Sequence, residues 1–424
     1  MPNEEVRIVL ENVGQIDPES LDEAIAAGAY TAVKKVIDEG IPPERIVDEV
    51  DRSGLRGRGG AGFPTGRKWS LVSPDGEKYL ICNADEGEPG TFKDRLILEG
   101  DPHRLIEGMI LAGYAIGARK GYVYLRGEYT RSIEILTKAI ASAREADLLG
   151  GRILGSDISF DVEVKRGAGS YVCGEETALI ESLEGKRGYP RLKPPYPGQA
   201  GLWGRPTVVN NVETLANIPP IINRGADWFR SFGTETSPGT KVCPIFGAVN
   251  GPKAVEVEMG TPIRSLIDDF AGGVRDGRGL KAVLIGGAAG AFLSPDELDI
   301  GVDFESLSGH GAVLGSGAIL VIDEEGFIPE ILHGILRFFE HESCGQCAPC
   351  RAGTASIVAL SKRILIGEGR ESDIDLILSV AETMEVASLC PLGKSVILPV
   401  RSALDRFRDE FLSCLKDPHS VVYD

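Results

Sequence analysis

The stretch Tyr79-Leu80-Ile81-Cys82-Asn83-Ala84-Asp85-Glu86-Gly87-Glu88-Pro89-Gly90 sets the architecture. Its first half is a short apolar run, as in a buried strand, and its second half is an acidic loop punctuated by Gly and Pro. Outward from it, strand and helix alternate. The pattern predicts a helix at about 102–118, a strand at Tyr122–Arg126, a helix at about 130–146, a strand at Ile158–Arg166 and a helix at about 174–184. This alternation indicates an α/β domain. Upstream, residues 21–50 read as two amphipathic helices broken at Gly40-Ile41-Pro42-Pro43, and a glycine-rich loop follows over 54–66.

From about 240 the texture changes. Strands near 241–249 and 253–258, a helix at about 262–271, and strands at 281–286 and 317–323 suggest a small α+β domain. From Ile328 onward the pattern is helical, at about 328–341, 353–366, 373–387 and 393–415, which describes a bundle. A chain of 424 residues accommodates three domains, here 1–238, 239–326 and 327–424.

A formal charge of −18 excludes the basic footprint that nucleic acid requires and disfavours direct adsorption to anionic lipid. Hydrophobic content of 42% and charged content of 25% are those of an ordinary globular protein. No apolar run is long enough to span a bilayer, and the acidic start Met1-Pro2-Asn3-Glu4-Glu5 lacks the apolar core of a secretory signal. The expected location is cytoplasmic, with any membrane association supplied by partners.

Cys344-Gly345-Gln346-Cys347-Ala348-Pro349-Cys350 is a C-x2-C-x2-C triplet, and Cys390 follows 40 residues later, just before Pro391. A tight triplet with one remote cysteine is how a chain wraps a [4Fe–4S] cube, which implies electron transfer. Zinc more often takes two separated C-x2-C pairs or mixes Cys with His, and His341 keeps that alternative open. Eight cysteines, four of them grouped in this way, suit a reducing compartment. Cys82, Cys173, Cys243 and Cys414 are assigned to core packing.

Gly57-Arg58-Gly59-Gly60-Ala61-Gly62 matches G-x-G-x-x-G, but a helix precedes it where the dinucleotide fingerprint requires a strand. The loop still predicts phosphate binding, because its glycines let backbone N–H groups approach an anion and Arg58, Arg67 and Lys68 add positive charge. In the acidic loop, Asp85, Glu86 and Glu88 are placed to accept from sugar hydroxyls, to hold Mg²⁺, or simply to be solvated. Glu175-Glu176 open a helix after Gly167-Ala168-Gly169, where the dipole alone would favour acids. Asn210, Asn211 and Thr214 occupy a polar turn and serve equally well as caps.

Taken together these segments resemble the flavoprotein component of NADH:quinone oxidoreductase, respiratory complex I (the F subunit of the bacterial enzyme and its mitochondrial counterpart). The motifs that carry the resemblance are Gly57–Trp69, Cys82–Gly90, Cys173–Ser182 and the cysteine triplet, in the family's order along nearly the whole chain. The resemblance implies a Rossmann-like FMN/NADH domain, a ubiquitin-like (β-grasp, SLBB-type) α+β domain and a C-terminal four-helix bundle carrying a [4Fe–4S] cluster.

It implies that Gly57, Gly59, Lys68, Asn83, Asp85, Tyr171, Glu175, Asn210, Asn211 and Thr214 hold non-covalent FMN. Phe63, Glu86, Glu88, Glu176, Lys193 and Tyr196 would contact NADH or line its cavity, with Glu88 and Glu176 as the catalytic pair. Leu71 stands where another aromatic is expected. Cys344, Cys347, Cys350 and Cys390 would be the cluster ligands. The implied activity is that of an NADH dehydrogenase: hydride transfer from NADH to FMN, then single electrons to the cluster and onward toward quinone. Implied partners are a thioredoxin-like [2Fe–2S] subunit and a large multi-cluster iron–sulfur subunit of a proton-translocating complex, peripheral on the inner face of the cell membrane. The alternative is the NAD(H)-flavin diaphorase subunit of a soluble hydrogenase or formate dehydrogenase.

Overall fold

A computed structural model describes residues 5–416; the acidic start at Met1–Glu4 lies outside the described residues. Strands β1 (Tyr79–Ala84), β2 (Lys120–Leu125), β3 (Asp161–Arg166) and β4 (Thr207–Asn211) form a parallel sheet in the order β3-β2-β1-β4. β1 is central. Leu80, Ile81, Cys82 and Ala84 have no exposed surface, because helices cover one face and other apolar elements the other. Burial of each large aliphatic side chain of this kind contributes roughly 1.5–3 kcal/mol.

The strand order positions the site. The chain steps from β1 outward to β2 and β3, then returns to place β4 on the other side of β1. In open α/β sheets ligands settle in the crevice where the strand order reverses, which here falls beyond the carboxyl ends of β1 and β4. Residues 83–85 and 210–211 stand at that switch point.

A second sheet comprises β5 (Thr240–Gly247), β6 (Lys253–Glu258), β7 (Leu280–Ile285), β8 (Ala291–Leu293) and β9 (Ile319–Asp323), ordered β6-β5-β9-β7-β8. Only β5 and β9 run parallel; the other neighbours are antiparallel. Alternation along β7 sends Val283 and Ile285 into this sheet's own core, while Ala282 and Leu284 face a different core. That second core is shared with the parallel sheet and the C-terminal helices, so apolar packing is continuous from Ile81 to Phe339 and Cys390. Four long helices, Ile328–Glu342, Ala348–Leu365, Glu371–Ala387 and Ile397–Cys414, pack around one another at the C-terminal end.

Several expectations need correction. Residues 21–50 form three short helices, Leu21–Ala26, Thr31–Asp38 and Pro43–Arg52, because Gly28 and Tyr30 both take positive φ and stop the first. Asn210 and Asn211 lie not in a turn but at the end of strand β4, after which Asn211 caps helix Val212–Ala216. The segment near 262–271 is one α-turn followed by a π-turn over Leu266–Phe270. Cys350 sits inside helix Ala348–Leu365, which starts five residues earlier than its apolar spacing suggests because Pro349 occupies a first-turn position. The last helix is divided into Pro391–Lys394 and Ile397–Cys414. β8 and helix Phe304–Gly309 were not anticipated.

Candidate functional site

The glycine loop closes on itself through Gly57 N–H donating to Phe63 O (2.9 Å). It sits over the start of helix Val212–Ala216, where Arg58 N–H donates to Thr214 Oγ1 (2.8 Å). Gly59 is required by this approach: a Cβ there would come within 2.8 Å of Asn211 Cβ. The charge expected from this loop is mostly spent elsewhere. Arg58 is buried, its guanidinium donating to the carbonyls of Thr240 and Pro238, so it ties the loop to β5 and offers nothing to a phosphate. Arg67 remains exposed.

Lys68 donates to Val209 O (2.8 Å) and to Glu176 (2.9 Å), and Lys193 bridges Glu176 (2.7 Å) and Glu175 (3.0 Å). Burial opposes ionisation of Glu176, but the two ammonium groups outweigh it and hold its pKa below the ordinary value. Glu175 also caps helix Glu176–Leu183, accepting from Thr177 and Ala178 N–H. Phe63, Leu71 and Tyr196 stand exposed on the flanking loops, in line with a cleft that presents apolar surface to a planar ligand.

At the end of β1, Asn83 Nδ2 donates to Gly174 O (2.9 Å), and its Oδ1 accepts from Asp85 N–H (3.1 Å). Asp85 Oδ2 is buried without a hydrogen-bond partner. Burial pushes the Asp85 carboxyl up to about 7, against the pull of Arg126. An orphaned carboxylate oxygen at the switch point is an acceptor awaiting a donor. On the β4 side, Asn211 Nδ2 donates to Asp94 (2.7 Å), and Asn210 accepts from Trp69 Nε1 (2.9 Å), which locks helix Thr65–Ser70 in place.

The acidic loop divides its carboxylates. Glu86 is buried and turned inward, accepting from the backbone N–H groups of Asp94 and Arg95 and from Tyr129 Oη. It therefore holds the loop's shape instead of facing the cleft. Glu88 accepts from Tyr171 Oη (2.5 Å) and from Ala289 N–H (3.2 Å), which joins the loop to the second sheet. Burial raises its pKa, opposed by these hydrogen bonds. Tyr171 extends the chain of contacts: its ring meets Phe338 edge-on (5.0 Å), and its N–H donates to Glu342, on the helix that ends at the cysteine triplet.

Cys344, Cys347, Cys350 and Cys390 line one hollow with Ser343, Pro190, Leu389 and Leu392. Helix Ala348–Leu365 opens at Cys347, and the short helix Pro391–Lys394 opens at Cys390, so two helix N-termini aim at the hollow. Among the described residues, no three His, Cys, Asp or Glu side chains are placed to hold a single metal ion. The other cysteines, Cys82, Cys173, Cys243 and Cys414, are buried in apolar packing.

Arg126, Tyr129, Lys93 and Asp94 support the site but were not read from the sequence. Arg126 directly follows β2 and donates to Glu86 O (2.5 Å); its position just past a strand's carboxyl end is the available signal.

Residues 50–220 match the family model described as the Nuo51 FMN-binding domain, and residues 330–414 match the NADH-ubiquinone oxidoreductase-F iron-sulfur binding region. The chain is 48% identical over 415 residues to the NADP-reducing hydrogenase subunit HndC of Solidesulfovibrio fructosivorans, covering 97% of this chain and 84% of that one. It is 48% identical over 412 residues to the second F subunit of the NADH-quinone oxidoreductase of Rhizobium meliloti, covering 97% and 98%. Among solved structures, an NAD⁺-reducing [NiFe]-hydrogenase in the H₂-reduced state superposes with a TM-score of 0.83 at 39% identity, over 98% of this chain and 68% of that one.

Proposed function

Because this chain belongs to the family of NADH-quinone oxidoreductase flavoprotein subunits, we propose that it is the NAD(H)-flavin subunit of a hydrogenase-type electron-transfer complex. It is an NADH-dehydrogenase-type enzyme, with FMN and an iron–sulfur cluster as cofactors and NADH as substrate. The observation that carries the hydrogenase assignment is the near full-length likeness to a hydrogenase subunit and to NAD⁺-reducing hydrogenase structures. This puts the alternative ahead of the expected quinone acceptor. The quinone reading keeps support from the NADH-quinone oxidoreductase relatives, and with it the multi-subunit setting of partner iron–sulfur proteins. Among the described residues no helix is long and apolar enough to cross a membrane, so any membrane attachment is assigned to partners. The assignment is tested by isolating the complex through a tag on this chain and comparing H₂-driven NAD⁺ reduction with NADH-driven quinone reduction. H₂-driven activity is the expected result; quinone reduction alone would overturn it.

We assign FMN to the switch point and the [4Fe–4S] cluster to the cysteine hollow, in domains 1–238 and 327–424. The β6-β5-β9-β7-β8 order, with β5 and β9 parallel, supports a ubiquitin-like β-grasp for 239–326. FMN held at the switch point would supply a hydride acceptor for the nicotinamide and one-electron chemistry toward an iron–sulfur cluster. The residues present fit FMN. Arg58 N–H is tied to Thr214 Oγ1 and Gly59 packs directly on Asn211, which fixes the glycine loop beside the switch point, where we place the FMN phosphate. Asp85 Oδ2 lacks the donor that a polyol hydroxyl would provide. Lys193, Glu175 and Glu176 line the approach, and Phe63 and Tyr196 flank it, so the protein's share is chiefly to position two rings. Glu88 is held by Tyr171 and Ala289 in the acidic loop that follows β1, and we assign it with Glu176 to nucleotide contact.

Two results should follow. Glu176→Ala is expected to raise the NADPH-to-NADH ratio of kcat/KM by about tenfold, since it removes a carboxylate and frees Lys68 and Lys193 for a 2′-phosphate. An unchanged ratio removes Glu176 from that role.

FMN affinity should also depend on pH. With its native pKa raised from 3.8 to about 7, Asp85 stabilises the ligand-free fold below its unfolded value, and that contribution is lost as pH rises through 7. A hydroxyl donating to Asp85 favours the carboxylate, so FMN binding releases a proton and weakens by up to about tenfold per pH unit below 7. Calorimetric titration of FMN-free protein in buffers of different ionisation enthalpy checks this, and Asp85→Asn should flatten the profile.

A further inference from the structure

Asn211 ends β4 and caps helix Val212–Ala216, and both ends of its side-chain amide are engaged by neighbours. Its Oδ1 accepts from Glu213 N–H (3.1 Å) and from Lys93 Nζ (3.3 Å), and its Nδ2 donates to Asp94 Oδ2 (2.7 Å). An amide oxygen has two acceptor sites and an amide nitrogen two N–H groups. These contacts take both acceptor sites and one N–H, so what they leave to Asn211 is a single donor. Asn211 itself is half-buried, whereas the side chains of Lys93 and Asp94 are no more than 4% exposed.

Charge enforces this orientation. Lys93 Nζ meets Asp94 Oδ1 (2.6 Å), Glu213 Oε2 (2.9 Å) and Asn211 Oδ1, one acceptor for each of its three N–H groups. Burial alone would lower the Lys93 pKa, but Asp94, Glu213 and Glu86 outweigh it and raise it above the ordinary value, so the ammonium stays charged. Asp94 is anchored in turn, its N–H donating to Glu86 (2.9 Å). Turning the Asn211 amide over would set its NH₂ against the Lys93 ammonium and the Glu213 N–H, and its oxygen against the Asp94 carboxylate. All three contacts would become repulsive, in surroundings that screen charge poorly.

We infer that Lys93 and Asp94 are positioning residues for the flavin: they hold the Asn211 amide so that it offers the switch point a donor, which the flavin meets with an acceptor. The inference rests on the assignment of FMN to the switch point. Asp85, the residue after β1, asks for the opposite partner, because its orphaned Oδ2 requires a donor. The ends of β1 and β4 therefore demand opposite polarity of the ligand, and this fixes which way round it lies. Lys93 and Asp94 form the first turn of helix Lys93–Gly100, outside the glycine loop and the strand ends, and act only through the amide they orient.

The test titrates FMN into the full chain after removal of its flavin, with quenching of flavin fluorescence as the signal. Asp94→Asn, Lys93→Met and Asn211→Ala should each weaken FMN binding about tenfold, the worth of one hydrogen bond. The decisive readout is the pairing of variants. Asp94→Asn combined with Asn211→Ala should bind FMN as Asn211→Ala does, within about twofold, because the contact that Asp94 serves has already gone. A merely structural Asp94 would give losses that multiply to about a hundredfold, and that result would overturn the inference, as would wild-type affinity in both Asp94→Asn and Lys93→Met. Asn211→Asp leaves the buried pair in place and keeps the side chain's size but has no N–H to donate. It should weaken FMN binding at least about tenfold; undiminished binding would overturn the donor orientation, and this arm decides the matter if the buried variants do not fold. A wild-type chain that takes up no FMN would overturn the flavin assignment itself, and the positioning role with it.

Discussion

Cys347→Ser is expected to stop onward electron flow while leaving the flavin reducible by NADH. Cys347 stands at the mouth of the hollow and opens helix Ala348–Leu365, so the substitution exchanges a thiolate donor for a hydroxyl without disturbing the backbone that presents it. Loss of a supporting contact around a metal site typically costs 10–100-fold, and loss of a ligand should exceed about 100-fold in transfer to a protein acceptor. Glu88, Glu175 and Glu176 do not touch Cys347, so nucleotide oxidation should be retained when a small oxidant takes electrons at the flavin. Iron content and the EPR spectrum of the reduced protein are the direct readouts, with far-UV circular dichroism reporting that the helices survive. Full transfer with an unaltered EPR signal would remove Cys347 from the ligand set, and with it the reading of the triplet.

The largest effect on stability is expected at Glu213. Its carboxylate accepts from Lys241 Nζ (2.6 Å) and from Val242 N–H (2.9 Å) and pairs with Lys93 (2.9 Å), and none of these side chains is more than 2% exposed. Burial opposes its ionisation, but Lys241 and Lys93 outweigh this and keep the Glu213 pKa below the ordinary value. Glu213→Ala leaves Lys241 buried with only Val242 O as acceptor, which should cost about 3–5 kcal/mol. The double variant Glu213→Met, Lys241→Met removes both charges and should recover most of that loss, because apolar replacement of a buried pair is often close to neutral. Chemical denaturation midpoints of the single and double variants decide the matter. Equal destabilisation by both would mean that Glu213 contributes through packing instead of charge.

This ion cluster explains part of what sequence reading reached and missed. Glu213 lies two residues after Asn211 and Lys241 lies on β5, so the parallel sheet and the second sheet are joined by charges 28 residues apart in the chain. Composition marks both residues as charged and therefore exposed; only the fold reveals that each neutralises the other. Arg58 misled for the same reason. In the glycine loop it reads as a phosphate ligand, but its guanidinium satisfies two carbonyls on a segment 180–182 residues away. Glu86 is similar: its place between Asp85 and Glu88 suggests a ligand contact, yet its carboxylate caps the turn into helix Lys93–Gly100.

Features written in local spacing were legible from the residues alone. Apolar runs between turn residues revealed β1 and the alternation of the first domain, and long apolar periodicity revealed the C-terminal helices. The cysteine triplet is likewise a local pattern, because three donors on one loop must be a few residues apart. Where charge goes was settled by packing. Whether a carboxylate or guanidinium meets a ligand, a backbone N–H or an opposite charge depends on which distant segment lies against it, and Coulomb energy and desolvation are set by that arrangement. So the residue types named the groups that could form the site, and the strand order β3-β2-β1-β4 selected those that line its cleft.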